Sequence, residues 1–104
     1  MPYLILAEDR PGMDSERERV REAHRAHLAA AGEGLLASGA ILAEDGVTVV
    51  GGASLLDTDD EAAARAFEAD DPYAAAGIRA KVTVVRWRLR WWRGAFRADG
   101  FESH

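Results

Sequence analysis

Apolar and polar residues alternate along this chain with periods that predict four strands and two helices. A segment from Ser15 to about Leu36 repeats apolar residues at helical spacing, and a shorter segment from Thr58 to Asp70 does the same. Short apolar runs, typical of strands, cover residues 3–7, 40–43, 47–56 and 81–87. The predicted order is therefore βαββαβ, the order of an α+β domain with an antiparallel sheet and two helices on one face.

Local signals mark where these elements begin and end. Ser15 and Thr58 each precede a glutamate by three residues, the capping-box spacing that predicts a helix start. Asp45-Gly46 predicts a tight turn between the second and third strands. The second helix is expected to end before Pro72. Gly51-Gly52, inside the third strand, predicts a bulge or a close approach to the backbone.

The strands are apolar on both faces, although helices would cover only one. In the first strand Tyr3, Ile5 and Ala7 alternate with Leu4 and Leu6. An apolar second face needs a cover, and a second copy of the chain is the simplest one. We therefore predict a homodimer that pairs through the sheet. The alternative cover is the C-terminal tail folded back on the sheet.

Composition restricts the class of protein further. The 104 residues are enough for one domain, expected at 1–93 with a tail over 94–104. There is no cysteine, no apolar run long enough for a membrane span, and no basic segment before the first strand, so we predict a cytoplasmic protein. The net charge of −5 argues against nucleic acid as a general partner.

His24 is the first candidate for chemistry. It lies on the apolar stripe of the first helix, between Val20 and Leu28, so it is expected near the sheet and partly desolvated. An imidazole there can serve as general base or acid, and the alternative is an ordinary interior histidine. His27 lies one turn further on. The pair could bind a metal, but the sequence marks no third ligand, so we assign none.

Asp71 and Tyr73 form the second candidate, around Pro72. Asp71 could orient a histidine or transfer a proton itself, and Tyr73 brings an aromatic ring with a hydroxyl. The alternative is that Asp70 and Asp71 are solvated residues at a helix end. Acids are disfavoured at a helix C-terminus, which favours a purpose for one of them.

Arginines alternate with apolar residues over residues 86–91, and Trp92 and Arg93 follow. The interpretation we favour is a strand with one buried aromatic face and one solvated basic face. A surface that binds single-stranded nucleic acid or another anion is an alternative. A third is a strand that extends into a partner subunit, with Trp91 and Trp92 sealing the interface.

Several of these segments, in this order, resemble the YCII-related family of dimeric α/β-barrel proteins. The resemblance runs from about residue 2 to residue 90. It rests on five segments: Tyr3-Leu4-Ile5-Leu6-Ala7-Glu8-Asp9, Arg21-Glu22-Ala23-His24, Leu35-Leu36-Ala37-Ser38-Gly39-Ala40, Ala69-Asp70-Asp71-Pro72-Tyr73 with Ala76-Gly77, and Val82-Thr83-Val84-Val85-Arg86-Trp87. Ala40 departs from the family, which usually has proline there, and the tail beyond Trp87 is longer than usual.

The resemblance implies a ferredoxin-like fold and a dimer whose two sheets pack face to face. It also implies a pocket with His24 and Asp71 as the catalytic pair and Tyr73 as a wall. We add His27 to the expected substrate-binding residues. Two hypotheses follow. One is a cofactor-free lyase or isomerase, with His24 as general base, acting on a small cyclic or aromatic molecule. The other is a small-molecule binding or accessory protein that uses the same pocket without turnover.

Overall fold

The computed structural model describes residues 1–99; the rest of the predicted tail lies outside the described residues. Within residues 1–99 no helix combines the length and the apolarity that crossing a membrane requires. The elements, in chain order, are β1 (Tyr3–Asp9), α1 (Asp14–Ala31), a 3₁₀ turn (Gly32–Gly34), β2 (Leu35–Leu42), β3 (Val49–Leu56), α2 (Glu61–Ala69), α3 (Pro72–Ala75), β4 (Arg79–Arg86), β5 (Trp91–Trp92) and β6 (Ala95–Phe96).

The main sheet has the strand order β2-β3-β1-β4, and every neighbouring pair is antiparallel. This confirms the predicted ferredoxin-like arrangement. The core lies between the sheet and α2. Tyr3 and Ile5 of β1 pack there with Leu56 and with Ala64 of α2, which is fully buried.

The first helix is shorter than the sequence predicted. It begins at Asp14 and has no side-chain cap, so the capping box expected at Ser15 does not form. It ends at Ala31, because Gly32 takes a positive φ of 59° that breaks the helical geometry. Leu35, predicted to lie on the helical stripe, instead begins β2 and faces Leu56 of β3.

No residue of α1 is buried, although its apolar stripe predicted packing against the sheet. The helix packs mainly against α3 and stands away from β2 and β3. The face that carries His24 and Leu28 lines a cavity instead.

The second helix is capped by Asp60, not by Thr58. The Asp60 side chain accepts a hydrogen bond from the Ala62 N–H. Thr58 Oγ1 accepts from the Asp60 N–H, one step before the cap. The helix turns a different face to the core from the one that its apolar spacing predicts, which is formed by Ala63, Ala66 and Phe67. Its buried residues are Ala64 and Glu68, with Phe67 packed against the core, whereas Ala63 and Ala66 are exposed.

The alternation over residues 86–93 does not form one long strand. β4 ends at Arg86, and a separate hairpin pairs Trp91 with Phe96. The predicted buried aromatic face is wrong, because Trp87 and Trp91 are 44% and 65% exposed. The predicted tail spans residues 94–104. Its described part, residues 94–99, contains the strand β6.

Gly51 confirms the predicted close approach. An added Cβ there would lie 2.2 Å from the Ala7 carbonyl oxygen of the neighbouring strand. The pairing of β2 with β3 shifts register beside this position, between Ile41 and Leu42. Only glycine lets β1 and β3 approach this closely.

Candidate active site

A cavity of about 380 Å³ lies between α1 and the sheet. Small residues make up most of its floor on β1, β2 and β3, namely Ala7, Ser38, Gly39, Ala40, Gly51, Gly52, Ala53 and Ser54. Because these residues project little from the sheet, the space beneath α1 stays open. The volume is in the range of small-molecule sites.

His24 and Asp71 meet at the wall of this cavity. The Nδ1 atom of His24 is 2.8 Å from one carboxylate oxygen of Asp71 and 3.0 Å from the other. The side chain of His24 is 18% exposed and that of Asp71 only 2%. A carboxylate that accepts the Nδ1 proton leaves Nε2 of the neutral ring without a proton, so Nε2 can act as a base.

Asp71 lies at the start of α3, which corrects the expectation of an acid at a helix C-terminus. The α2 helix ends at Ala69, and the Asp71 side chain accepts a hydrogen bond from the Tyr73 N–H as the cap of α3. Pro72 follows at the first helical position, where its missing N–H costs nothing. Aspartate at the N-cap and proline at the first helical position are thus the residue types that the start of a helix favours.

The pKa of Asp71 is lowered. Burial opposes ionisation, but it is outweighed by the hydrogen bonds from His24 and from the Tyr73 N–H and by the nearby charges of His24 and Arg79. The carboxyl is thus held ionised beside the imidazole. An ionised partner keeps the imidazole in one orientation.

Tyr73 lies against His24. The two rings stack with their centroids 3.9 Å apart and their planes 12° from parallel. The guanidinium groups of Arg17 and Arg79 also lie over the Tyr73 ring, at 4.6 and 5.4 Å from its centroid. Tyr73 is buried, so its ring fixes the His24 imidazole from one side.

Sequence reasoning missed an ionic network behind this pair. Asp9 accepts from Arg17 Nε at 2.7 Å and from Arg79 Nη1 at 2.8 Å. Arg79 Nε also donates to Glu68 at 3.0 Å. Burial raises the pKa of Glu68, and Arg79 opposes that shift. The network ties β1, α1, α2 and β4 together around the site.

Two further arginines lie at the more exposed side of the cavity. Arg21 and Arg25 follow Arg17 along α1 at intervals of four residues, so all three project from one face of the helix. On the floor, the hydroxyls of Ser38 and Ser54 are 2.9 Å apart. One hydroxyl proton is used in that bond, so the other remains able to donate to a ligand.

His27 does not line the cavity. Its Nε2 donates to the Phe67 carbonyl oxygen of α2 at 2.8 Å, and its ring packs on that of Phe67 at 4.7 Å. These contacts join α1 to α2. Within residues 1–99 no group of three or more histidine, cysteine, aspartate or glutamate side chains is arranged to hold a metal ion.

The comparisons with known proteins point to one family. Curated proteins gave no match. Among solved structures, the chain is similar to the 5-chloro-2-hydroxyhydroquinone dehydrochlorinase TftG from Burkholderia phenoliruptrix AC1100, which was solved in complex with 2,5-dihydroxybenzoquinone. The TM-score is 0.75 and the identity 27%, over 84% of this chain and 93% of that one.

A second solved structure is less similar. The protein At3g17210 from Arabidopsis thaliana has a TM-score of 0.43 and 16% identity, over 81% of this chain and 89% of that one. The family model of the YCII-related domain matches residues 1–88, which include every residue of the site described above. The chain therefore belongs to the YCII-related family.

Proposed function

We propose that this protein is a lyase-type or isomerase-type enzyme that acts on a small cyclic or aromatic molecule, with His24 as general base. The observation that carries the proposal is the buried carboxylate of Asp71, which accepts the Nδ1 proton of an imidazole at a cavity wall. The similarity to TftG, a dehydrochlorinase solved with a quinone, supports the same class of chemistry.

In this proposal His24 Nε2 takes a proton from a hydroxyl group of the ring. For a chlorinated substrate the net change is the loss of one proton and one chloride ion. The carbon that loses chloride must also gain a hydrogen, which moves to it from a second hydroxyl group as the ring converts to its keto form. The electron pair of the O–H bond that His24 breaks then enters the ring, and that of the C–Cl bond leaves with the chloride, so that the product is a quinone. Asp71 is a positioning residue, which orients the imidazole and stabilises its protonated form.

A second function remains open for the same cavity. A binding or accessory protein would use the stacked His24 and Tyr73 rings to hold a ring compound without converting it. The small-residue floor and the cavity volume suit either role. The two differ only in turnover.

We also propose that the protein is a homodimer that pairs through the face of the sheet opposite α2. Leu4, Leu55 and Val85 stand side by side on that face, as the strand registers place them. Val85 lies on the edge strand β4 and is 41% exposed in the single chain, although its side chain is apolar. A second sheet packed on this face would bury it.

The catalytic proposal can be tested with 5-chloro-2-hydroxyhydroquinone. We expect the purified protein to release chloride from it, and His24→Asn to lower kcat about 10²–10⁴-fold because a positioned base contributes that much. His27→Asn is the matched control on the same helix, since His27 lies outside the cavity. Tight binding of the compound with no chloride release by the wild-type protein would favour the binding function instead.

A further inference from the structure

We propose that the cavity selects a planar ring that carries an oxyanion, and that Arg21 and Arg25 are the residues that select it. This deepens the proposed function and rests on it for the location of the substrate. Four arginines and two acids line the cavity of a chain whose net charge is −5. The lining of the cavity therefore contains more cationic than acidic side chains, although the protein as a whole is acidic.

The two inner arginines are already committed to the protein itself. Arg17 and Arg79 share the buried carboxylate of Asp9, and Arg79 also binds Glu68. Their side chains are only 13% and 9% exposed. Their charges are neutralised at short range, and they hold the Tyr73 ring in place.

The two outer arginines are placed differently. Arg21 Nη1 pairs with Glu18 at 2.7 Å and Arg25 Nη1 with Glu22 at 3.0 Å, in each case one turn away on α1. Both glutamates are largely exposed, and exposed pairs of this kind are weak. A guanidinium has five N–H donors, so each arginine keeps donors for a ligand while paired in this way.

Arg21 and Arg25 lie on the same helix as His24, where their positive charges could stabilise an anionic ligand. Arg21 precedes His24 by three residues, so their side chains are neighbours on α1, and Arg25 lines the same cavity one turn beyond Arg21. A ring oxygen that has lost its proton to His24 would carry its negative charge beside them. Charge-assisted hydrogen bonds there would stabilise the ionised form of the ligand.

The size and shape of the cavity suit a single substituted ring. A cavity of about 150 Å³ is enough to enclose benzene, and this one measures about 380 Å³. The excess leaves room for ring substituents. The low floor of glycine, alanine and serine residues leaves a gap beneath His24 that a flat molecule would fill.

The experiment compares an anionic and an uncharged ring by isothermal titration calorimetry at pH 7. The probes are 2,5-dihydroxybenzoquinone, which is ionised at that pH, and hydroquinone, which is not. We expect the wild-type protein to bind the anionic ring more tightly. The double variant Arg21→Gln with Arg25→Gln should weaken that binding by about tenfold and change hydroquinone binding less than twofold, because two exposed charge-assisted contacts are lost.

Arg19→Gln is the matched control. Arg19 forms the same kind of exposed ion pair, with Glu16 on α1, but does not line the cavity, so both affinities should remain unchanged. Equal losses for both rings in the double variant, or no loss for the anionic ring, would overturn the inference.

This outcome is separable from that of the catalytic proposal. His24→Asn should lower kcat about 10²–10⁴-fold and keep the preference for the anionic ring. A wild-type protein that discriminates between the two rings but converts no substrate would support the selection by Arg21 and Arg25 and contradict only the catalytic role of His24. A wild-type protein that binds both rings equally would contradict the selection, whatever its activity.

Discussion

At the scale of single residues, Asp71 combines a structural role with its proposed role beside His24. Its carboxylate accepts hydrogen bonds from His24 and from the Tyr73 N–H, and it caps α3. It is almost completely buried. Removing a buried carboxylate that accepts from a side chain and from a backbone N–H destabilises a protein, because buried donors are left without that acceptor.

Asp71→Asn should lower the free energy of unfolding at pH 7 by about 1–3 kcal/mol, since an amide cannot replace the charge-assisted bond to His24. The pKa of Asp71 is lowered in the folded protein. Its stabilising contribution is therefore complete above the carboxyl's unfolded pKa and lost as the pH falls through the folded one. The difference between variant and wild type should shrink below about pH 4.

Urea unfolding followed by circular dichroism at pH 7 and pH 3 measures this difference. The exposed neighbour Asp70 provides the control, because Asp70→Asn removes the same charge from a solvated position and should have little effect at either pH. A loss of stability in Asp71→Asn that is the same at both pH values would show that the ionised carboxylate is not what stabilises the fold.

His24 and Asp71 could be found in the sequence, and the residues behind them could not. A histidine on an apolar stripe and an aspartate before a proline are unusual enough to notice. Asp9 and Arg79 carry no such local signal, because they meet only when β1 pairs with β4, 70 residues apart in sequence. Periodicity reports which face a residue is on and contains nothing about partners at that distance.

At the scale of elements, the helix starts show the limit of short motifs. Both Ser15 and Thr58 have the capping-box spacing, yet neither side chain caps its helix. At the second helix a competing acceptor, Asp60, lies closer to the first turn and takes the Ala62 N–H. The spacing identified where the helices lie and not which side chain satisfies their first N–H groups.

The difference between Asp60, which caps its helix, and Ser15, which does not, can be measured by mutation. Asp60→Ala should lower the free energy of unfolding by about 1 kcal/mol, the usual cost of removing a helix N-cap. Ser15→Ala should change it by only a few tenths, because Ser15 makes no capping hydrogen bond. Thermal or urea unfolding of the two variants beside the wild type is sufficient. A larger loss for Ser15→Ala than for Asp60→Ala would mean that the helix starts are misassigned.

The element boundaries that sequence reasoning missed share a cause. The first helix was extended to about Leu36 because Leu35 continues its apolar spacing, but Leu35 pairs with Leu56 in the sheet. The strand predicted through residues 86–93 stops at Arg86, although the alternation continues. In both places local periodicity fits two structures, and pairing with a distant strand decides between them.

At the scale of the whole molecule, the order of the elements was predictable from hydrophobic periods, turn signals and helix-start signals, and the ferredoxin-like sheet is what the resemblance to the YCII-related family implied. The way in which the second face is covered depends on apolar residues, Val85 among them, that a single chain leaves partly exposed.

The proposed dimer makes a clear prediction for the molecular mass. The wild-type protein should sediment as two chains at micromolar concentration, and Val85→Lys should sediment as one, because a lysine ammonium would be buried between two sheets without a partner. Val47→Lys is the control, since Val47 is 78% exposed in the turn between β2 and β3. A wild-type protein with the mass of one chain would remove the case for sheet-to-sheet pairing.

The floor of small residues beneath α1 has a consequence for how such a protein can change. The sheet sets the height of the cavity. The helix α1 supplies His24 and the two outer arginines, Arg21 and Arg25, and the start of α3 supplies Asp71. A mutation that enlarges Ala40 or Gly52 would reshape the space without touching the acid–base pair. The size of ring that the cavity admits is therefore set by β2 and β3, whereas the proposed selection of charge and the proposed acid–base chemistry both depend on α1 and α3. The admitted size can drift, or be engineered, while the charge selection and the chemistry are kept.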